Sequence, residues 1–519
     1  MRSASRLSRK AVRRCSHSRS LSAGLAPSFE QTLDNVFSAA LSDSRLAFPG
    51  FNVHARRGAD VYAKSFGVAD LESGAPWQAD AMVRMYSMTK VMASALALRL
   101  HELGALDFEA PVADWIPSFD RQWDIVAECD ITGDETLSYV NAIDGSTHEI
   151  EYTRTPSAQP MLVKHLMSET SGIGYDVFSD FDQAFGGFGT KNSYAIASAL
   201  RREVVPTVYS PIAGRVYVSG VAPTVYSSKC ILGHDMDVEE FCEVIAEAGV
   251  LVCEPGTFSY GLGATVLGRV IELAHAKHFG GSSNFEQIMR ELIWMPCGMD
   301  AAAFFLEDGD PRAQRIPTLY AATLEESGMA AVVRAERYGD GLAADDGIAY
   351  TNHTDHAGGP REYLSGDTGS LMPVSDYAKF VELLLSGGVA ASGERVLAPQ
   401  SVSSLTRGRF EGLNLETQMA HNFGVAGDGG AFPSSFNYGW ATNHAGTIAA
   451  RNVKVPAHEV ASATCNWSGY ANTHVRVYPD DDAFIILAPQ MMDNSAGGFT
   501  HAADVLRVPA LAAFTGLWT

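Results

Sequence analysis

The stretch "MVRMYSMTKVMASALALRL", residues 82–100, is apolar along almost its whole length and predicts a buried helix. Two of its residues carry reactive groups, Ser87 and Lys90, three apart at the front of the apolar run. Side chains three apart share one face of a helix, so the amine can reach the hydroxyl. Two interpretations are open: a nucleophile with its base, or a helix cap followed by a surface lysine, since serine is a favoured N-cap.

The catalytic interpretation rests on the start of this helix. Backbone N–H groups in a first helical turn have a positive dipole character that favours an attacking oxygen, and the N–H of Ser87 can form half of an oxyanion hole. Burial in the apolar run "VMASALAL" would lower the pKa of Lys90 and let it act as a base. Lys90 is the one lysine of nine with a serine three residues before it. No G-x-S-x-G, H-E-x-x-H or Walker A motif offers competing chemistry.

Composition and charge limit the classes of protein to which the chain can belong. The 519 residues are 46% hydrophobic and 19% charged, as in an ordinary soluble globular protein. The formal charge of −22 argues against a nucleic-acid partner, because phosphate binding needs a basic surface. No apolar run approaches the ~20 residues that span a bilayer. These limits fit a protein that acts on small molecules.

The first residues, 1–28, differ from the rest of the chain. They contain seven Arg or Lys, eight Ser and no acid, a pattern typical of organellar transit peptides; a disordered basic tail is the alternative. The seven cysteines are odd in number and form no C-x-x-C, which suits reduced thiols. We therefore predict an intracellular protein, in mitochondria or another organelle, with the cytoplasm as the alternative.

The order of predicted elements indicates an α+β fold within a single domain, 29–519. A helix beginning at Phe29 precedes two strands, "GFNVHARRG" and "DVYAKSFGV", and two strands, "NTHVRVYP" and "DDAFIILAPQ", precede a final helix. The simplest packing places both ends on one antiparallel sheet, flanked by the N- and C-terminal helices. The middle, roughly 110–435, becomes a large mostly helical insertion. No βαβ rhythm supports a parallel sheet.

Three features of this middle region bear on function or topology. A hairpin turning at Asp144-Gly145 is expected in "YVNAIDGSTHEIEYT". Residues 176–235 are loop-rich with Gly and Phe, and we interpret them as a variable flap that covers an apolar pocket. The sequence "NHTDH" contains His353 and His356, but without Cys or carboxylate ligands at clear spacing we predict no metal site.

Further motifs accompany "YSMTK" in a fixed order along the chain. They are "HLMSETSGI" at 165–173, "EPGTFSYGLGATVLGRVIE" at 254–272, "SGDTGSLMPVSDYAKFVELLLSGG" at 365–388 and "NWSGYANTHVRVYPDDDAFIILAPQ" at 466–490. Together, from about 30 to 515, the chain resembles the serine β-lactamase-related family of class C β-lactamases, penicillin-binding-protein-like esterases and fungal transesterases. The resemblance implies a β-lactamase/transpeptidase-like fold and acyl-enzyme chemistry without a cofactor or metal.

The resemblance also implies roles for individual residues. Ser87 would be the nucleophile that becomes acylated, and Lys90 would deprotonate it or tune its surroundings. Tyr260 would be the second base and would protonate the leaving group, since a tyrosine beside a cationic amine gives up its proton more readily. The backbone N–H groups of Ser87 and Tyr470 would form the oxyanion hole.

The chain departs from the family pattern at several positions. Trp467 occupies the place where lactamases and peptidases usually have Lys or His, and Leu262 the place of a common Asn. Ser468 and Gly469 would border the substrate cleft with them. Trp467 and Leu262 lack the polar groups that would recognise an anionic amide substrate, and they favour an apolar acyl or alcohol group. Glu169 replaces the family's usual His, and we interpret that segment as structural.

These residues predict a serine hydrolase that cleaves carboxylic esters through an acyl-enzyme at Ser87. The same machinery could serve an acyltransferase or transesterase, and a β-lactamase or D-amino peptidase is a third possibility. A non-catalytic, filament-forming mitochondrial relative is the alternative from a different class. The expected partner is a small ester or acyl molecule, with no nucleic acid, no membrane span and the oligomeric state left open.

Overall fold

A computed structural model describes most of the chain between residues 28 and 516. It describes residues 28–43, 48–129, 135–140, 147–174, 193, 196–197, 200–201, 237–307, 309–324, 330–334, 364–407, 435–438, 440–443, 463–469, 471–493 and 503–516. The predicted basic segment and the predicted flap therefore lie almost wholly outside the described residues. The division into these segments and one domain stays a prediction.

The helices and strands alternate irregularly along the chain. The main helices are α1 (Phe29–Leu41), α2 (Thr89–Glu102), α3 (Val163–Met167), α4 (Val238–Ala248), α5 (Gly263–Phe279), α6 (Phe285–Met289), α7 (Val374–Leu385), α8 (Pro399–Arg407) and α9 (Val508–Gly516). The strands are β1 (Gly50–Arg57), β2 (Asp60–Gly67), β3 (Val83–Arg84), β4 (Asp124–Glu128), β5 (Glu135–Val140), β6 (Thr147–Pro156), β7 (Val250–Leu251), β8 (Tyr320–Leu324), β9 (Ala330–Arg334), β10 (Leu371–Met372), β11 (Ser435–Asn437), β12 (Trp440–Asn443), β13 (Thr464–Ser468), β14 (His474–Tyr478), β15 (Ala483–Pro489) and β16 (Met491–Asp493).

The central sheet joins the two ends of the chain, as predicted. Its seven antiparallel strands run in the order β11-β12-β13-β14-β15-β1-β2. Strand β1 pairs with β15 from Phe51 opposite Pro489 to Arg57 opposite Ala483. Gly58 begins the turn between β1 and β2 with φ of 55°, a left-handed conformation that glycine adopts without strain.

Strand β15 shows how this sheet separates two cores. All seven of its residues are buried. Phe484 and Ile486 point into the larger core around α2, whereas Ile485 and Leu487 point to α1 and α9. Consecutive residues of a strand face opposite sides, so a strand with both faces covered must be apolar throughout.

The middle of the chain adds helices, as predicted, and also contributes strands to three small sheets among the described residues. Their orders are β5-β6-β4-β7, β16-β8-β9 and β10-β3. The predicted hairpin is confirmed by pairing of Val140 with Thr147 across residues 141–146. Parallel strand pairs such as β16 with β8 are formed by segments distant in sequence, which no local pattern predicts.

Helix α2 lies in the larger core, with Lys90 in its first turn and Ser87 just before its start. It packs against α5 and α3 and buries eleven of its fourteen residues. Gly104 ends the helix in a left-handed conformation, since its φ is 74° and its N–H donates to the His101 carbonyl. Across the part of the chain that the structure describes, no helix combines the length and apolarity needed to cross a membrane.

Candidate active site

Ser87 lies in a single 3-10 turn that runs directly into α2. The turn is held from two sides: the Met85 amide donates to the Ser370 carbonyl (3.0 Å), and the Thr473 hydroxyl donates to the Met85 carbonyl (3.1 Å). Tyr86 has φ of 49°, a left-handed conformation that is uncommon for a bulky residue. Backbone strain of this kind persists where surrounding contacts enforce it, and it clusters at active sites.

The Lys90 ammonium lies inside the protein, with no solvent-exposed side-chain surface. Its Nζ is 3.5 Å from the Ser87 Oγ, at the outer limit of a hydrogen bond. Catalytic hydrogen bonds are often long before substrate binds. Burial lowers the pKa of Lys90 to about 7, and the negative charge of Glu169 opposes this shift. The structure therefore brings the predicted nucleophile and base together, in surroundings that favour a neutral amine near neutral pH.

Asp367 adds a charge to the site that the sequence analysis did not assign. Its carboxylate forms a buried ion pair with the Lys90 ammonium, and its backbone carbonyl is 3.3 Å from the same nitrogen. An opposite charge at this position favours the protonated amine and acts against burial. The two residues are 277 positions apart, and the available signal was a single acid in the Gly-, Ser- and Thr-rich segment "SGDTGS".

Tyr260 lies just before α5 and is 9% exposed. The Lys90 Nζ is 4.8 Å from the centroid of its ring, within the range of a cation–π contact. The Trp467 indole N–H donates a hydrogen bond of 3.1 Å to the Tyr260 hydroxyl, and the two ring centroids are 5.3 Å apart. A donor to the phenol oxygen stabilises the phenolate. Trp467, predicted as a wall of the cleft, thus also contacts the predicted second base.

The other predicted substrate-binding positions differ in where their side chains lie. Leu262 caps α5, is partly buried and packs against the larger core. The Ser468 hydroxyl contacts the His474 Nδ1 (2.8 Å) and accepts from Arg507 (2.8 Å). Neighbouring strand residues face opposite sides, so Ser468 lies on the other face of β13 from Trp467. The Ser468 side chain is therefore held by His474 and Arg507 on that face, and its place at the border of the substrate cleft stays a prediction.

Gly469 brings the end of β13 against the nucleophile turn. Its amide donates to the Thr473 carbonyl (2.8 Å). A Cβ at this position would collide with the Met85 carbonyl oxygen and lie 2.9 Å from the Tyr86 Cβ, so the close approach requires glycine. Tyr470 lies outside the described residues, and the oxyanion hole that it would complete stays a prediction. The two histidines of "NHTDH" also lie outside.

These features define a class of protein: an antiparallel sheet flanked by helices, with a buried Ser-x-x-Lys pair beside a tyrosine. A family model described as Beta-lactamase matches residues 34–507. Because the match covers most of the chain, the protein belongs to the Beta-lactamase family. The resemblance and the fold class inferred from the sequence are confirmed.

Individual relatives agree with this membership. Esterase EstB of Burkholderia gladioli is 24% identical over 313 residues, 59% of this chain and 62% of the relative, so the match spans less than two thirds of EstB. The solved structure of "EstCE1, a hydrolase with promiscuous acyltransferase activity" has a TM-score of 0.58 and 17% identity, covering 94% of this chain and 98% of the other. Simvastatin synthase (LovD) from Aspergillus terreus has a TM-score of 0.59 and 17% identity, covering 95% and 99%. At these identities the structural likeness shows the fold alone.

Proposed function

We propose that the protein is a serine hydrolase that cleaves carboxylic esters through an acyl-enzyme at Ser87. The observation that carries the proposal is the buried Lys90 amine, 3.5 Å from the Ser87 hydroxyl, with its pKa lowered to about 7. A base of this pKa is matched to neutral pH. The names of the relatives, an esterase and a hydrolase with acyltransferase activity, support the same class of reaction.

Acylation follows from the arrangement of three side chains. Neutral Lys90 accepts the proton of Ser87 as Oγ attacks the carbonyl carbon of the ester, and a tetrahedral oxyanion forms. Tyr260 then gives its proton to the departing alkoxide, the acyl–oxygen bond breaks, and the phenolate regains a proton from Lys90. The Trp467 indole N–H stabilises the transient phenolate through its hydrogen bond.

Deacylation reverses these roles with water in place of the alcohol. Neutral Lys90 first takes the phenol proton of Tyr260, and the resulting phenolate takes a proton from the attacking water while Lys90 is positively charged beside it. Lys90 then supplies the proton with which Ser87 leaves. The second tetrahedral intermediate collapses, Ser87 leaves with a proton, and the carboxylic acid is released. The backbone amides of Ser87 and Tyr470 are the proposed donors to both oxyanions.

The substrate that best fits the site is uncharged and apolar next to the ester. Trp467 and Leu262 supply apolar surface where related lactamases have polar groups. Two buried carboxylic acids, Asp367 and Glu169, lie near Lys90. In a low-dielectric interior they repel a second anion, which disfavours substrates that carry their own carboxylate.

Acyl transfer to an alcohol is the second candidate function. It needs no further residue, because an alcohol can replace water at the acyl-enzyme, and the printed description of EstCE1 includes acyltransferase activity. Adding a primary alcohol during ester turnover separates the two. Acyl transfer yields the new ester at the expense of the free acid, whereas a strict hydrolase yields free acid throughout.

A paired serine substitution tests the proposal. Ser87→Ala is compared with Ser94→Ala, which removes a buried hydroxyl from the same helix. We expect Ser87→Ala to lower kcat/KM for p-nitrophenyl esters of two to ten carbons by at least about 10³-fold. We expect Ser94→Ala to stay within about threefold of the wild type. Full activity in Ser87→Ala would rule out the assigned nucleophile, and a wild type inactive on every ester would rule out the esterase.

A further inference from the structure

Glu169 is a buried acid that none of the proposed chemical steps uses. It follows α3, is 1% exposed and has φ of 55°, in the left-handed region. We propose that Glu169 is a positioning residue, which fixes the Tyr260 segment from both sides and whose charge acts on the Lys90 amine that lies over the Tyr260 ring. The inference rests on the proposed function, because it assigns catalytic roles to those two residues.

Glu169 accepts hydrogen bonds from the two residues that flank Tyr260 in the sequence. Its backbone carbonyl accepts from the Ser259 amide (2.7 Å), and its Oε2 accepts from the Gly261 amide (2.7 Å). The residues immediately before and after Tyr260 are therefore both attached to one residue. A Cβ on Gly261 would lie 2.5 Å from the Gly174 backbone, so this segment is also packed without space to shift.

The second carboxylate oxygen of Glu169 lowers the stability of the folded chain, which argues against a purely structural role for this residue. Oε1 is buried and has no hydrogen-bond partner among the residues that the structure describes. Burying such an oxygen without a partner destabilises the folded chain, and a left-handed φ at a non-glycine residue adds to that cost. A glutamate used only as a backbone acceptor could be replaced by a neutral amide.

The surroundings of Glu169 show what its charge can influence. Its charge interacts with Lys90 from α2, and the Lys90 amine in turn contacts Tyr260 before α5 and Asp367 before β10. Burial raises the pKa of Glu169 to about 7, and the positive charge of Lys90 opposes that shift. The same interaction raises the pKa of Lys90. Removing the negative charge therefore favours the neutral amine at lower pH.

Glu169→Gln separates the charge from the hydrogen bond, because glutamine keeps an oxygen that can accept from the Gly261 amide. We expect the acidic limb of the kcat/KM profile to move to lower pH by at least about 0.5 unit. Glu169→Ala removes both and should lower kcat at least about tenfold at every pH. A higher kcat at alkaline pH in Glu169→Gln than in Glu169→Ala would show that the retained hydrogen bond positions the Tyr260 segment.

Glu286→Gln is the matched control. Glu286 is also a largely buried acid with a raised pKa that accepts a backbone hydrogen bond, from the Phe304 amide (2.9 Å), but it belongs to α6. Its substitution should leave the profile unmoved. Superimposed profiles for Glu169→Gln and the wild type would overturn the inference, as would equal shifts in both variants.

A double-mutant cycle in urea makes the inference testable without turnover. We expect the folding equilibrium constant of Glu169→Gln with Lys90→Met at pH 7, where the protonated amine and the carboxylate are both populated, to differ more than about threefold from the product of the two single effects. Agreement within that factor contradicts the coupling. If the wild type turns over no ester and reacts with no fluorophosphonate, the proposed function fails, while the cycle still decides whether Glu169 acts on Lys90.

Discussion

The pKa of Lys90 determines the pH range in which the proposed nucleophile can react. Burial lowers this pKa from 10.5 to about 7, and the side chain has no exposed surface that would let water weaken the effect. The shift corresponds to about 5 kcal/mol in favour of the neutral amine. The perturbation that tests it is a change of pH, with no substitution.

The expected profile follows from the fraction of neutral amine. With a pKa of about 7, roughly nine tenths of Lys90 is neutral at pH 8, about a tenth at pH 6 and about a hundredth at pH 5. We therefore expect kcat/KM to fall about tenfold from pH 8 to 6, and about tenfold again to pH 5. Because Lys90, Asp367 and Glu169 interact, the midpoint belongs to the group of three.

The assay measures kcat/KM from pH 4.5 to 9.5 at constant ionic strength. The carboxylic acid product is quantified by chromatography, because the colour of p-nitrophenol itself changes with pH. Circular dichroism at each pH confirms that the protein stays folded. A profile that is flat from pH 5 to 9 would refute the assignment of Lys90 as base. A kcat/KM that stays low at neutral pH and is still rising at pH 9.5 would show that burial does not lower its pKa.

Three substitutions test the contacts around Lys90 and Tyr260. Trp467→Phe should lower kcat/KM about three- to tenfold, because it removes a hydrogen bond worth about 1 kcal/mol from the Tyr260 hydroxyl; ester turnover measures it. Asp367→Asn should lower the free energy of unfolding by roughly 3–5 kcal/mol in urea at pH 5, where Lys90 is protonated, because it leaves a buried ammonium without its carboxylate. Gly469→Ala should slow fluorophosphonate labelling at least about tenfold, because the new methyl group displaces the nucleophile turn.

Each substitution has a counterpart elsewhere in the chain. Trp123→Phe also removes an indole hydrogen bond, to the Phe119 carbonyl (3.3 Å). Asp376→Asn breaks a pair with the part-exposed Lys379, and Gly268→Ala adds a methyl group 3.7 Å from its nearest neighbour. We expect smaller effects from all three controls. Equal effects within any pair would contradict the contact that the pair tests.

The parts of the site that could be predicted from the sequence are local or carried by motifs. Ser87 and Lys90 meet because they are three positions apart on one turn of the chain. Tyr260 and Trp467 were assigned through the family resemblance, and the hydrogen bond between them shows a closer relation than a shared cleft. Asp367 could not be assigned, because its contact with the amine arises only when distant segments fold together.

The same distinction applies to the fold. Alternating and fully apolar strands near both ends predicted the sheet, since burial on one or two faces leaves a pattern along each strand. The small sheets also need pairs between segments far apart, such as β16 with β8 and β4 with β7, and such pairs leave no pattern in the sequence. The role of Glu169 could not be predicted for the same reason. The sequence showed a departure from the family's usual residue, but the hydrogen bond from the Gly261 amide to its carboxylate forms only in the folded chain.

The central claim is that an acyl group is carried by the Ser87 hydroxyl. Mixing the protein with an activated ester, quenching in acid within seconds and digesting the chain allows the acylated peptide to be identified by mass spectrometry. We predict one acyl group per chain, on the peptide that contains Ser87, present in Ser94→Ala and missing in Ser87→Ala. The mechanism would be contradicted if the protein turned over ester but formed no covalent adduct with either the ester or a fluorophosphonate. An adduct on another residue would contradict it as well.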